Sequence, residues 1–90
     1  MSVVARRLIV RGRVQGVNYR GWVRERAGDT VAGYAENRDD GSVEVWVQGA
    51  PGDVARVERA VRTGPAHARV DAVEADDVSP REHLDGFARR

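Results

Sequence analysis

Gly12-Arg13-Val14-Gln15-Gly16-Val17-Asn18-Tyr19-Arg20 joins a segment with strand alternation to one with helical spacing. A glycine-containing turn lets successive backbone N–H groups converge without interference from Cβ atoms, and a helix start adds unpaired donors and a favourable dipole. An arginine at that point completes a pocket for a small dianion such as phosphate, because its planar fork matches phosphate oxygens. By spacing alone, the two glycines serve equally well as a plain strand-to-helix connection. Arg20 shifts the balance. A positive charge in the first helical turn opposes the helix dipole, which favours acidic residues there, and neutralising a bound anion is a functional reason for it.

The elements that must hold this turn are readable along the chain. Val4, Leu8 and Val10 alternate with Arg7, Ile9 and Arg11 as in a half-buried strand. Tyr19, Trp22, Val23 and Ala27 then recur at helical spacing until Gly28-Asp29 ends the helix. Val31 to Asn37 is a short second strand, and Arg38-Asp39-Asp40-Gly41-Ser42 is a hairpin turn with the Asp-Gly pair that a tight reversal needs. Val43, Val45 and Val47 alternate with Glu44, Trp46 and Gln48 in a third strand.

A second helix follows the break at Gly49-Ala50-Pro51-Gly52, with Asp53 as its expected cap and Val54, Val57 and Val61 on its apolar stripe. Gly64-Pro65 closes it. Val70 to Ala75 reads as a fourth strand, and Leu84 to Ala88 has room for a short fifth at an edge. The order β-α-β-β-α-β predicts an α+β fold of the ferredoxin-like, split βαβ kind. Its four-stranded antiparallel sheet carries two helices on one face and leaves the other partly solvated. Trp46 is expected on that open face, shielding it.

Composition narrows the function. Ninety residues, 41% hydrophobic and 32% charged, describe one folded domain spanning residues 1–90. No apolar stretch approaches membrane-spanning length, and Arg6 and Arg7 interrupt the position where a signal peptide would be apolar, so a cytoplasmic location is expected. The absence of cysteine excludes disulfides, a thiol nucleophile and thiolate metal sites. All fifteen basic residues are arginine, which excludes Schiff-base chemistry and a Walker lysine. A net charge of +1 argues against nucleic acid as the partner.

Among the remaining polar residues, Asn37 stands at the end of the second strand. A turn-forming asparagine is the ordinary reading. In a split βαβ sheet, however, that strand end and the first β-to-α turn can meet at one edge, and an amide orients water without titrating. His67 and His83 read as solvated surface residues, not general acids or bases. The pairs Asp39-Asp40 and Asp76-Asp77 have no histidine companion and read as solvated turns, so no metal site is expected.

The Gly12–Arg20 string, Gly33-Tyr34-Ala35-Glu36-Asn37 and Asp40-Gly41-Ser42-Val43-Glu44 together resemble the acylphosphatase family. The resemblance extends through Gly64-Pro65, Ala68-Arg69-Val70 and Phe87-Ala88-Arg89-Arg90. It implies metal-independent hydrolysis of acyl phosphates, with no cofactor, by a monomer acting on a small-molecule substrate. On this resemblance Arg20 is the catalytic phosphate-binding arginine and Asn37 positions the attacking water. The backbone amides of Gln15, Gly16, Val17, Asn18 and Tyr19 form the phosphate cradle. Two positions depart from the common family pattern: Asn18, and the Ala35-Glu36 pair, which puts a negative charge beside an anion site. The rival reading is a non-catalytic ferredoxin-like module that binds a small anion or RNA. An RNA platform needs exposed aromatics on central strands; the first strand has none.

Overall fold

The computed structural model describes residues 2–90. The chain runs β1 (Val4–Arg13), α1 (Tyr19–Ala27), β2 (Ala32–Asn37), β3 (Val43–Gly49), α2 (Pro51–Thr63), β4 (Arg69–Val78) and β5 (Phe87–Arg89). Period-two alternation divides the sheet into two faces. Leu8 and Val10 of β1, Ala35 of β2, and Val43, Val45 and Val47 of β3 are buried with Val23 and Ala27 of α1 and Val54, Val57 and Val61 of α2. Ala5, Tyr34 and Trp46 cluster on the opposite face.

The strands lie in the order β4-β1-β3-β2-β5, with the β1–β3, β1–β4 and β2–β3 pairs antiparallel. This is the expected split βαβ arrangement plus one edge strand. β5 pairs parallel to β2, Gly33 opposite Phe87 and Ala35 opposite Arg89, so the complete sheet is mixed. It also begins later than the expected Leu84. Leu84 packs against the Ala5, Tyr34 and Trp46 cluster, and Gly86, at φ 71°, redirects the chain before Phe87.

The second face is less open than its alternation suggests. Trp46 is 4% exposed, lying beneath the segment that joins β4 to β5. The Arg81 guanidinium sits 3.6 Å from the centroid of its ring, a cation–π arrangement. The Trp46 indole N–H donates to Gln48 Oε1 at 3.0 Å, and Gln48 Nε2 donates to the Arg81 carbonyl at 2.7 Å. Trp46 thus shields the face as expected, but it is itself covered.

Helix α2 differs from expectation at its start. It begins at Pro51, where the fixed φ of proline suits the first helical position, and Ala50 precedes it without a side-chain cap. Asp53 lies inside the first turn, where its charge complements the dipole, instead of capping. At the other end, the Val61 carbonyl belongs to the last turn, which lacks helical donors. The fully buried Tyr19 hydroxyl donates to it at 2.6 Å, tying the first residue of α1 to the end of α2. Burial also pushes the Tyr19 phenol pKa up.

Tyr19→Phe should therefore leave the Val61 carbonyl buried and unpaired, at a cost of about 1–3 kcal/mol. Denaturant unfolding checks this. Unchanged stability would mean that the hydroxyl contributes nothing to joining the helices.

Candidate active site

The β1–α1 connection takes its shape from two left-handed backbone positions. Gly16 has φ 77° and Asn18, the residue before α1, has φ 59°. Left-handed residues flanking Val17 produce the alternation that turns successive N–H groups toward a common point. Among the described residues, the amides of Gln15, Gly16, Val17 and Asn18 donate to no protein acceptor, and the first internal bond of α1 runs from Trp22 N–H to Asn18 O at 3.1 Å. Tyr19 and Arg20 occupy the first turn, whose amides have no helical acceptor. The first turn contains no acidic residue. A Cβ on Gly21 would lie 2.4 Å from Asn18 Oδ1, so a larger residue there would displace the Asn18 side chain.

Arg20 is half-buried, not extended into solvent. Its Nη1 donates to the backbone oxygen of Arg90. Arg90 in turn is held by β2, since its N–H donates to the Ala35 carbonyl at 2.8 Å and its guanidinium lies 3.8 Å from the centroid of the Tyr34 ring. The other Arg20 N–H groups have no acceptor among the described residues. The guanidinium is therefore anchored on one side and unoccupied on the other.

Asn37 ends β2, exposed and opposite Val43 of β3. Two residues beyond Ala35, it belongs to the sheet face that carries the helices. No protein group among the described residues bonds its side chain. Glu36 alternates to the opposite face with Tyr34, across from Glu44, so its charge is directed away from the helix side. Glu44 itself is half-buried, which pushes its pKa up, but hydrogen bonds from Tyr34 and Arg7 outweigh this and the net shift is downward.

The β1–α1 loop and the hairpin meet as the fold class allows. Gln15 Nε2 donates to the Arg38 carbonyl at 2.8 Å and to the Ser42 carbonyl at 2.9 Å. Asn37 is adjacent to Arg38, so the loop that presents free amides is fastened beside it. The family motif contains Gln15, but nothing in its local sequence announces that its side chain reaches the hairpin. The Arg90 contact was equally hidden.

The hairpin is held by Asp40, whose carboxylate accepts from the Ser42 hydroxyl and, at 3.0 Å, from the Ser42 N–H. These two bonds, with help from Arg11, lower its pKa to about 2. Because the folded value lies below the unfolded one, the interaction is fully present above about pH 4 and is lost as the pH falls through about 2. A carbon-detected NMR titration should place the Asp40 midpoint near 2. A midpoint of about 4, the ordinary value, would mean that the Ser42 contacts do not persist in solution.

His67 and His83 are exposed, in the connections following α2 and β4. Among the described residues no group of three or more His, Cys, Asp or Glu side chains is arranged to hold a metal ion. No helix is long and apolar enough to cross a membrane. A groove of about 910 Å3 runs from Asn18 and Gly21 past Arg24 and Gly28 to Phe87 and Arg89.

An α+β sheet whose first helix opens on a turn of unpaired backbone amides is the class that fold and site define. The acylphosphatase family model matches residues 6–89. The chain is 48% identical over 80 residues to an acylphosphatase of Nitrobacter hamburgensis, covering 88% of this chain and 81% of that protein. It is 43% identical over 82 residues to one of Mycobacterium sp. strain KMS, covering 90% and 87%. The crystal structure of acylphosphatase from Bacillus subtilis matches it with a TM-score of 0.90 at 32% identity, covering 97% of this chain and 98% of that one. The chain belongs to the acylphosphatase family and is an enzyme of that family.

Proposed function

We propose that this chain hydrolyses acyl phosphates to a carboxylate and inorganic phosphate by direct attack of water, as a single-domain cytoplasmic monomer that needs no metal or cofactor. The backbone amides of Gln15, Gly16, Val17, Asn18 and Tyr19, together with the Arg20 guanidinium, hold the phosphoryl oxygens. Asn37 orients the water. The observation that carries this reading is the combination of unpaired loop amides with an arginine anchored on only one side.

Phosphoryl transfer requires in-line positioning and stabilisation of charge on the equatorial oxygens. Preorganised N–H groups and a guanidinium fork supply both. The Asn37 carbonyl accepts a hydrogen bond from the water while the water oxygen forms its bond to phosphorus. On the opposite side, the bond from phosphorus to the acyl oxygen breaks and its electron pair leaves with the carboxylate. That carboxylate belongs to an acid of pKa about 4, so it departs without a proton from the enzyme. The proton released by water passes to phosphate or solvent. The groove beside Asn18 and Gly21 gives the acyl portion room.

A spectrophotometric assay with benzoyl phosphate in the presence of a chelator tests the proposal. Turnover with competitive inhibition by inorganic phosphate is expected. Phosphate binding without turnover would favour a non-catalytic anion-binding module and overturn the hydrolytic reading.

A further inference from the structure

We infer that the Gln15 side chain is a positioning residue that sets the distance between the phosphate cradle and the water held by Asn37. This rests on the roles proposed above for the loop amides and Asn37. The two acceptors of Gln15 Nε2 are the carbonyls at either end of the hairpin turn. Each already accepts a bond from within the turn: Ser42 O from Arg38 N–H at 2.8 Å, and Arg38 O from Gly41 N–H at 3.2 Å. Gln15 supplies the second bond to each. Since both partners are acceptors only, the NH₂ end of the side chain must face them, and both of its donors are used.

The consequence is geometric. Gln15 contributes its own amide to the loop and fastens that loop to the peptide following Asn37. On the other side of Asn37, Arg90 fastens the Arg20 guanidinium to Ala35. Asn37 therefore sits between two ties, at residues 35 and 38, one leading to each half of the phosphate site. The Asn37 side chain has no protein partner among the described residues, so the placement of its water depends on the backbone that these ties hold. A displacement of about 1 Å at such a site costs about 10²-fold in rate.

A double-mutant cycle separates positioning from general support. Gln15→Ala should lower kcat for benzoyl phosphate by about 10- to 10²-fold while KM and inhibition by inorganic phosphate change less than about 3-fold. In an Asn37→Ala background, Gln15→Ala should cost less than about 3-fold more, because the water it positions is no longer held. Full additivity of the two substitutions overturns the inference. Gln15→Glu places a carboxylate against two carbonyls and should be as impaired as Gln15→Ala near neutral pH, regaining activity on acidification as the carboxyl becomes a donor. Should Gln15→Ala not fold, Gln15→Asn replaces it in the cycle, since it keeps the amide but cannot span the same distance.

An NMR titration with inorganic phosphate reads the coupling without catalysis. In the wild type, the amides of Gly16 to Tyr19 and those of Arg38 to Ser42 should shift together. In the Gln15 variant only the loop amides should respond. Continued response of the hairpin would overturn the inference even if the chain proved not to hydrolyse acyl phosphates, whereas absent turnover with intact coupling would reject only the hydrolytic reading.

Discussion

Arg20→Ala is expected to lower kcat/KM for an acyl phosphate by at least about 10²–10³-fold and to weaken inhibition by inorganic phosphate in parallel. Removing one preorganised donor from a transition-state site typically costs about that much, and here a full charge is lost as well. The cradle amides left behind carry only partial charges. Arg20→Lys should restore little, since an ammonium cannot donate to Arg90 and to two phosphoryl oxygens in one plane. The fold should survive: Arg20 is half-buried, and its recorded bond is the one to the Arg90 oxygen. Steady-state kinetics with benzoyl phosphate, beside a thermal melt, checks both statements. A variant with near-wild-type kcat/KM would falsify the assignment of Arg20.

Asn37→Ala is expected to give the second-largest loss and a different pattern. Turnover should fall by about 10²-fold or more, as for the loss of one group that orients a reactant. Inhibition by inorganic phosphate should stay close to wild type, because the role proposed for Asn37 is on the water and not on the anion. Stability should also hold, within about 0.5 kcal/mol, since the side chain is exposed and has no protein partner among the described residues. Parallel loss of phosphate affinity would show that Asn37 contacts the anion. Near-wild-type turnover would remove it from the mechanism. The contrast is diagnostic: on the proposed roles, losing Arg20 should impair both binding and turnover, whereas losing Asn37 should impair turnover alone.

The positions of these two residues were legible in the sequence to different degrees. Arg20 stands out locally, because a cation in the first helical turn conflicts with the dipole and the preceding turn contains Gly16 and Asn18. Asn37 does not stand out, since an asparagine before a hairpin is ordinary. Only the order of elements and the resemblance to a known family point to it. Asp53 has the residue type of a helix cap, but Pro51 two positions earlier is already suited to open α2, so the helix starts before it.

The amino-acid sequence by itself determined the succession of strands and helices, which side chains share a face, and where the chain can turn left-handed. These follow from periodicity, glycine placement and backbone sterics over a few neighbouring residues. Only the tertiary structure decided that Gln15 reaches a hairpin 23 residues away, that Arg20 rests on an oxygen 70 residues away, and that Arg81 covers Trp46. Such meetings depend on strand order and register, which bring remote segments side by side. No local pattern records them, because a donor such as the Gln15 amide or the Arg20 guanidinium has the same local signature whichever carbonyl the folded sheet places before it.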